Sequence, residues 1–265
     1  MGVETLVHTA IERVSEEREH TVGQLAAVDD FTTGVSKIEP APALETMAAR
    51  PLTDGGVGTL ASRHCNSSAD RRKRVRDLFD ETIRPYSVDD VDDEPLLVTV
   101  GEELTREVAV ALSPSTDSRF TDQLKRAILS EAASRRAELN AVSLALECEA
   151  ESLEAAVDEI DPIVDWLCRT NETPLLECDF ETLRDRHETL AHHRERCREL
   201  AGRRQTVVHG TANYNAEAGI HHHTVLEFLY QGLPTTYPVL TTALRLEQCC
   251  RDCQRAVRDH LVRRV

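Results

Sequence analysis

A heptad repeat of apolar residues runs through the middle of the chain. It consists of five aliphatic residues spaced seven apart: Leu139, Leu146, Leu153, Ile160 and Leu167. Three further apolar residues each follow a member of this series by three positions: Val142, Ala156 and Ile163. This 3-4 spacing places them on one narrow face of an α-helix, which is buried against other helices. The repeat therefore predicts a long helix over residues 116–168 and an all-α protein.

Three residues interrupt the regularity of this helix. Arg135 and Glu149 occupy positions on the buried face, where a charge is costly to desolvate unless it is paired. Pro162 follows Asp161 near the end of the helix. Because proline removes one backbone hydrogen bond and crowds the carbonyl four residues back, we expect a kink there, or a new helix capped by Asp161.

The remaining apolar periodicity predicts further helices on both sides of the long one. Three are long and three are short (67–83, 96–112 and 224–232), and in chain order they are 3–29, 67–83, 96–112, 179–209, 224–232 and 239–262. We expect Ser67 or Ser68 to cap the second of these and Asp179 the fourth. The predicted fold is one helical domain over 1–265: an elongated antiparallel bundle or coiled-coil hairpin, with the helices 67–83 and 96–112 inserted after the first long helix.

Two connecting segments lack periodicity. Residues 31–66 contain three prolines and several glycines, which predict an irregular loop. We expect Leu44, Met47 and Leu52 to attach this loop to the bundle. Residues 84–95 contain an acidic run that lacks the glycine and distal glutamate of a calcium-binding loop, so they are interpreted as a solvated linker.

The charge balance points to a particular environment. The chain has 47 acidic and 31 basic residues, a net charge of −16, and its only lysines are Lys37, Lys73 and Lys125. An excess of carboxylates with almost no lysine is typical of haloarchaeal cytoplasmic proteins, since molar salt shortens the Debye length to about 3 Å. The alternative is an ordinary acidic protein. We predict a cytoplasmic protein for three reasons. Eight cysteines are too few in a chain of this length for a disulfide scaffold. The sequence also shows no signal peptide and no apolar run long enough to cross a bilayer.

One cluster of basic residues invites a nucleic-acid interpretation. It comprises five residues of the helix predicted over 67–83: Arg71, Arg72, Lys73, Arg74 and Arg76. Such a patch can bind phosphates, but affinity for phosphates falls steeply with salt. We therefore favour a solvated helix face over a nucleic-acid site.

The C-terminal cysteines are the candidate metal ligands. Cys249 and Cys253, or Cys250 and Cys253, share a helix face, and a residue of the run His221, His222 and His223 would complete a tetrahedral zinc site. Against this, Cys250 and Cys253 lie on the apolar face of the last helix, where cysteine acts as a small core residue. We expect no metal and no cofactor, and a redox switch at Cys249 is less favoured still.

A cysteine–histidine pair is the candidate nucleophilic site. Cys197 lies four residues after His193 and ten after His187 on one predicted helix. Nucleophilic catalysis also requires an oxyanion site and a group that orients the base. The sequence supplies neither beside these residues, so we predict no catalytic residue and no enzymatic activity.

Several short segments in the second half of the chain resemble a known family. They are Ile163–Leu167, Thr173–Leu175, Arg184–Leu190, His193-Arg194, Cys197 and Leu200–Gln205. With them the chain resembles a family of uncharacterised helical proteins of haloarchaea, a domain of unknown function, over most of its length. The resemblance implies a helical, coiled-coil-like fold and a haloarchaeal source, and it implies no catalytic residues.

These observations lead to a structural rather than an enzymatic hypothesis. We expect a cytoplasmic helical protein that interacts with a protein partner or with itself through surface left over from its buried helix faces. The alternatives are a nucleic-acid-associated regulator that uses Arg71–Arg76, and a Cys/His metal or redox sensor at the C-terminus.

Overall fold

The computed structural model describes residues 4–41, 58–87, 94–210 and 222–263. It contains the following helices: α1 (Leu6–Ser36), α2 (Gly58–Thr82), α3 (Leu96–Glu103), α4 (Arg106–Leu112), α5 (Asp122–Asn171), α6 (Phe180–Gly210), α7 (His222–Tyr230) and α8 (Pro238–Val262). Within those ranges there is no β-strand, which confirms the all-α prediction. None of the described helices combines the length and the apolar character that crossing a membrane requires.

The chain divides into two compact units. The first comprises Met1–Glu19 and Ala141–Val265, and the second comprises His20–Asn140. Each unit has its own apolar core, and α1 and α5 contribute residues to both units. The prediction that residues 1–265 form one domain stays a prediction.

The heptad repeat forms the buried face of α5, as predicted. Leu139, Leu146, Leu153 and Ile160 are each at most 4% exposed. The helix is continuous through Pro162, so the alternative of a new helix capped by Asp161 is wrong. The kink expected there stays a prediction. Pro162 is exposed, as is Asp158, whose carbonyl loses its hydrogen bond and is free to be solvated by water. Packing of the opposite face stabilises the helix across this position.

In the first unit α6 runs antiparallel to both α5 and α8. Between α5 and α6, Glu149 pairs with Arg204 while Trp166 packs against His193. Between α6 and α8, His187 accepts a hydrogen bond from Gln254, and Arg198 pairs with Glu247. Asp179 caps α6 as predicted, with its Oδ1 accepting a hydrogen bond from the Thr182 N–H at 2.8 Å.

In the second unit α1 extends seven residues beyond the predicted end at residue 29. Phe31 and Val35 are fully buried and continue the apolar stripe, and the Phe31 ring meets Phe79 of α2 edge-on at 5.8 Å. Gly34 lies where a Cβ atom would come within 2.9 Å of Leu78. Its lack of a side chain lets α1 approach α2 closely, and this contact stabilises the helical turn.

Helix α2 begins earlier than predicted, so neither Ser67 nor Ser68 caps it. Ser68 is buried instead, and its Oγ accepts a hydrogen bond from the Phe120 N–H at 2.9 Å. The predicted loop 31–66 is therefore helical at both of its ends. Its middle, with Leu44, Met47 and Leu52, lies outside the described residues, as does the 88–93 part of the acidic linker.

The helix predicted over 96–112 is two helices. Leu104 leaves the helical conformation, and Thr105 begins α4 with its Oγ1 accepting a hydrogen bond from the Val108 N–H at 3.4 Å. A side-chain cap of this kind satisfies a first-turn N–H and so favours a new helix start. The start of α5 is set in the same way, because Thr121 Oγ1 accepts from the Leu124 N–H at 3.2 Å.

Candidate functional site

The C-terminal cysteines are divided between core and surface. Cys250 is fully buried, Cys253 is half-buried and Cys249 is exposed. Burial, with the neighbouring thiols Cys197, Cys249 and Cys253, raises the pKa of Cys250 to about 12. A thiol with so high a pKa stays protonated near neutral pH, and the protonated form is a poor metal ligand and a poor nucleophile.

The expectation that no metal binds at the C-terminal cysteines and histidines stays a prediction. His221 and the side chains of His222 and His223 lie outside the described residues. Within the part of the chain that the structure describes, no group of three or more His, Cys, Asp or Glu side chains is arranged to hold a metal ion.

Helix α6 brings Cys197 and His193 to its buried side. Burial, with the nearby Glu247 carboxylate, raises the pKa of the Cys197 thiol to about 11. His193 is 7% exposed, and neither ring nitrogen has a hydrogen-bond partner among the described residues. Its ring meets Trp166 edge-on at 5.0 Å. This geometry supports the interpretation of both residues as core residues, since no group orients the imidazole toward the thiol.

Two residues of the basic run of α2, Arg72 and Arg76, form hydrogen bonds within the protein. Arg72 is 6% exposed, and its Nη1 donates to the carbonyls of Ser113 and Thr116 at 3.0 and 2.9 Å. Arg76 donates to the Leu112 carbonyl at 2.5 Å. These bonds satisfy carbonyl groups at and just after the C-terminus of α4, where a positive charge also interacts favourably with the helix dipole.

The other members of the run face outward. Lys73 and Arg74 are exposed and Arg71 is half-buried. Lys73 pairs with Asp77 at 3.0 Å. The structure therefore does not present the five residues as one basic surface, and this weakens the nucleic-acid interpretation.

Two buried carboxylates were only partly anticipated. Glu149 of α5 is fully buried and accepts hydrogen bonds at 2.6 Å from both Arg204 and Tyr230. The cost of a charge at this heptad position predicted such a partner but could not identify it. Glu247 of α8 is 6% exposed and contacts the guanidinium groups of three arginines: Arg194, Arg198 and Arg251. Sequence reasoning missed Glu247, because it lies beside the apolar stripe of α8 rather than on it.

The first unit contains a groove that sequence reasoning also missed. It has a volume of about 750 Å³ and is formed by the start of α1, the end of α5 and one face of α8. Val164, Leu167 and Leu246 supply apolar lining, and Thr242 and Arg245 supply polar groups. A sequence pattern in α8 could have indicated one wall of this groove. It is the i, i+3, i+4, i+7 spacing of one helix face, followed by Thr242, Arg245, Leu246 and Cys249.

The same unit exposes apolar residues at the end where α6 begins and α8 finishes. Leu176 is 77% exposed, Phe180 is 47% exposed and Val262 is 70% exposed. The spacing of Phe180, Leu183 and Leu190 predicts that all three lie on the buried stripe of α6, and the exposure of Phe180 shows that this prediction is wrong for Phe180. Phe180 is the first residue of α6, where the neighbouring helices no longer cover it.

These arrangements provide binding surfaces and structural ion pairs. The arginines and carboxylates with the closest contacts stabilise helix packing, and the two most buried thiols of the α6–α8 contact are held protonated. The groove and the exposed apolar end are accessible surfaces of the first unit.

Comparison with known proteins places the chain in a family but not with a characterised relative. No curated protein and no solved structure matches it. A family model described as a domain of unknown function (DUF7260) matches residues 5–254. Because this match covers nearly the whole chain, the protein belongs to the DUF7260 family.

Proposed function

We propose that this protein is a non-enzymatic helical interaction protein that associates with a second copy of itself through its apolar end, defined as Leu176, Phe180 and Val262. The observation that carries the proposal is the joint exposure of these three residues at one end of the first unit. Scattered apolar residues are normal on a protein surface, whereas a group of them at one place marks an interaction site.

The antiparallel register brings the three residues to the same end. The Asp179 cap marks the start of α6, and Leu261 near the end of α8 packs against the apolar cluster that contains Cys178 and Leu183. Val262 therefore lies at the end of the unit from which Leu176 and Phe180 also project. A two-fold symmetric dimer would place this surface against its copy.

The charge distribution favours contact through the part of the chain that carries these three residues. Residues 171–265 contain 13 acidic and 13 basic residues, so the entire net charge of −16 lies in residues 1–170. Two copies repel each other least when they approach through the neutral part of the chain, and molar salt screens what repulsion remains. We propose in addition that the protein comes from a haloarchaeon and that it is cytoplasmic.

The nucleic-acid alternative has less support. Arg72 and Arg76 are bonded to carbonyl groups of the same unit, which leaves three of the five basic residues to contact phosphates. Three contacts produce weak binding that falls further with salt.

The test is the molar mass in molar KCl over a wide range of protein concentration, measured by sedimentation or light scattering. We expect wild-type protein to shift from monomer to dimer as concentration rises. The triple variant Leu176→Ser, Phe180→Ser, Val262→Ser should remain a monomer, because serine removes the apolar contact area.

The matched control carries three serines at other exposed apolar positions of the first unit: Leu144→Ser, Phe228→Ser and Leu244→Ser. It should dimerise as the wild type does. A wild-type protein that stays monomeric at every concentration would refute self-association. Equal loss of the dimer in both triple variants would refute its assignment to the apolar end.

A further inference from the structure

The groove of the first unit contains a buried polar group without a partner. Thr242 is 5% exposed, lines the groove, and its Oγ1 has no hydrogen-bond partner among the described residues. Such a group is costly to bury unless something bonds to it. Since threonine in a helix adopts two χ1 rotamers, rotation of the side chain would present this hydroxyl to a ligand in the groove, which would supply the missing hydrogen bond.

A cationic side chain lies one helical turn away. Arg245 is exposed and lines the same groove, three residues after Thr242 on the same face of α8. The other charged side chain of the lining is Glu4. One guanidinium and one hydroxyl suit a carboxylate, whereas the Glu4 carboxylate disfavours the greater charge of a phosphate monoester.

The rest of the lining is suited to an apolar body. Val164 is 7% exposed, and Leu167 and Leu246 are half-buried beside it. A volume of about 750 Å³ lies within the range of about 300–1,000 Å³ that is usual for small-molecule sites. Apolar walls with a few polar groups at one side are the usual form of such sites.

We propose that this groove binds an amphipathic carboxylate, with its apolar body against Val164, Leu167 and Leu246 and its carboxylate at Thr242 and Arg245. The proposal is independent of self-association, because none of these residues belongs to the apolar end.

The first test is a fluorescence titration with dansylaminoundecanoate, an apolar chain that carries a carboxylate. We expect decanoate to displace it and decanol, which lacks the charge, to compete about tenfold less well. Arg245→Gln should weaken decanoate binding about tenfold without changing decanol binding. Thr242→Val, which keeps the shape but removes the hydroxyl, should weaken it about fivefold. Arg258→Gln, an exposed arginine of the same helix outside the groove, is the matched control and should bind as the wild type does.

The second test uses the cysteines as reporters of position. Cys168 and Cys249 are exposed and line the groove, whereas Cys148 is exposed outside it. Saturating decanoate should slow the alkylation of Cys168 and Cys249 by N-ethylmaleimide and leave Cys148 unchanged, as read by peptide mass spectrometry. Equal competition by decanol and decanoate, wild-type affinity in Arg245→Gln, or unchanged labelling of Cys249 would each overturn the proposal.

Discussion

Replacing Arg204 by methionine tests the role of the buried ionic cluster directly. The Arg204 side chain is 3% exposed and its partner Glu149 is fully buried. Arg204 donates to Glu149 Oε1 at 2.6 Å and to Ser152 Oγ at 2.7 Å. The variant Arg204→Met keeps much of the side-chain volume but removes both hydrogen bonds and the positive charge that Arg204 places beside the Glu149 carboxylate.

The expected cost follows from this burial. Removing one partner of a buried ion pair destabilises a protein by about 3–5 kcal/mol, because the other charge stays desolvated. Tyr230 still donates to Glu149 at 2.6 Å, and burial together with that carboxylate raises the pKa of Tyr230, so the phenol keeps its proton. We therefore expect a loss near the lower end of this range, about 3 kcal/mol in the free energy of unfolding.

The assay is urea unfolding at fixed KCl concentration, followed by circular dichroism. The control is Arg203→Met, which breaks the exposed pair with Glu159 one residue away and should cost less than about 1 kcal/mol. The double variant Glu149→Gln, Arg204→Met removes the buried carboxylate charge as well and keeps an oxygen that accepts from Tyr230. It should regain at least half of the lost stability.

Two outcomes would refute this reasoning. Arg204→Met with a free energy of unfolding within 1 kcal/mol of the wild type would mean that the cluster is hydrated rather than desolvated. A double variant no more stable than Arg204→Met would mean that the cost arises from lost packing and not from the buried charge.

Two further predictions concern His193 and the basic run. Burial, followed by the Arg196 and His192 charges, lowers the pKa of His193, so the unfolded chain takes up a proton at higher pH than the folded chain. The free energy of unfolding should therefore fall as the pH drops below about 6.5. It should fall less in the variant His193→Gln. The fluorescence of Trp166, the only tryptophan, should report unfolding because its ring contacts His193. Arg72→Met should lose about 2–4 kcal/mol in urea unfolding through its carbonyl bonds, whereas the exposed Arg74→Met should stay within about 0.5 kcal/mol; equal stabilities would contradict the capping role.

Helix type and helix faces were predictable because they depend on local spacing. The heptad of α5 and the stripe of α8, which includes Val239, Ala243 and Cys250, are buried as their periodicity predicted. The Asp179 cap was also predictable, since a capping side chain bonds to a backbone N–H three residues away.

Helix ends and breaks were less predictable because distant contacts decide them. Glycine usually weakens a helix, whereas Gly34 is a point where α1 approaches Leu78 closely. Ser68 looked like a cap and is instead a buried acceptor for the Phe120 N–H, 52 residues away in sequence. In each case the residue type was compatible with two roles, and only its partner selected one.

The sequence by itself determined the helical class, the apolar faces, the negative charge and the need of Glu149 for a partner. Only the tertiary structure decided that this partner is Arg204 and that Arg72 donates to a carbonyl just after the end of α4. It also decided that Thr242 and Arg245 line the same groove as Val164. The physical reason is the distance along the chain over which each effect acts. Periodicity and capping act within a few residues of the chain, whereas burial, ion pairing and cavities depend on which segments meet, and several arginines of this chain could have met Glu149.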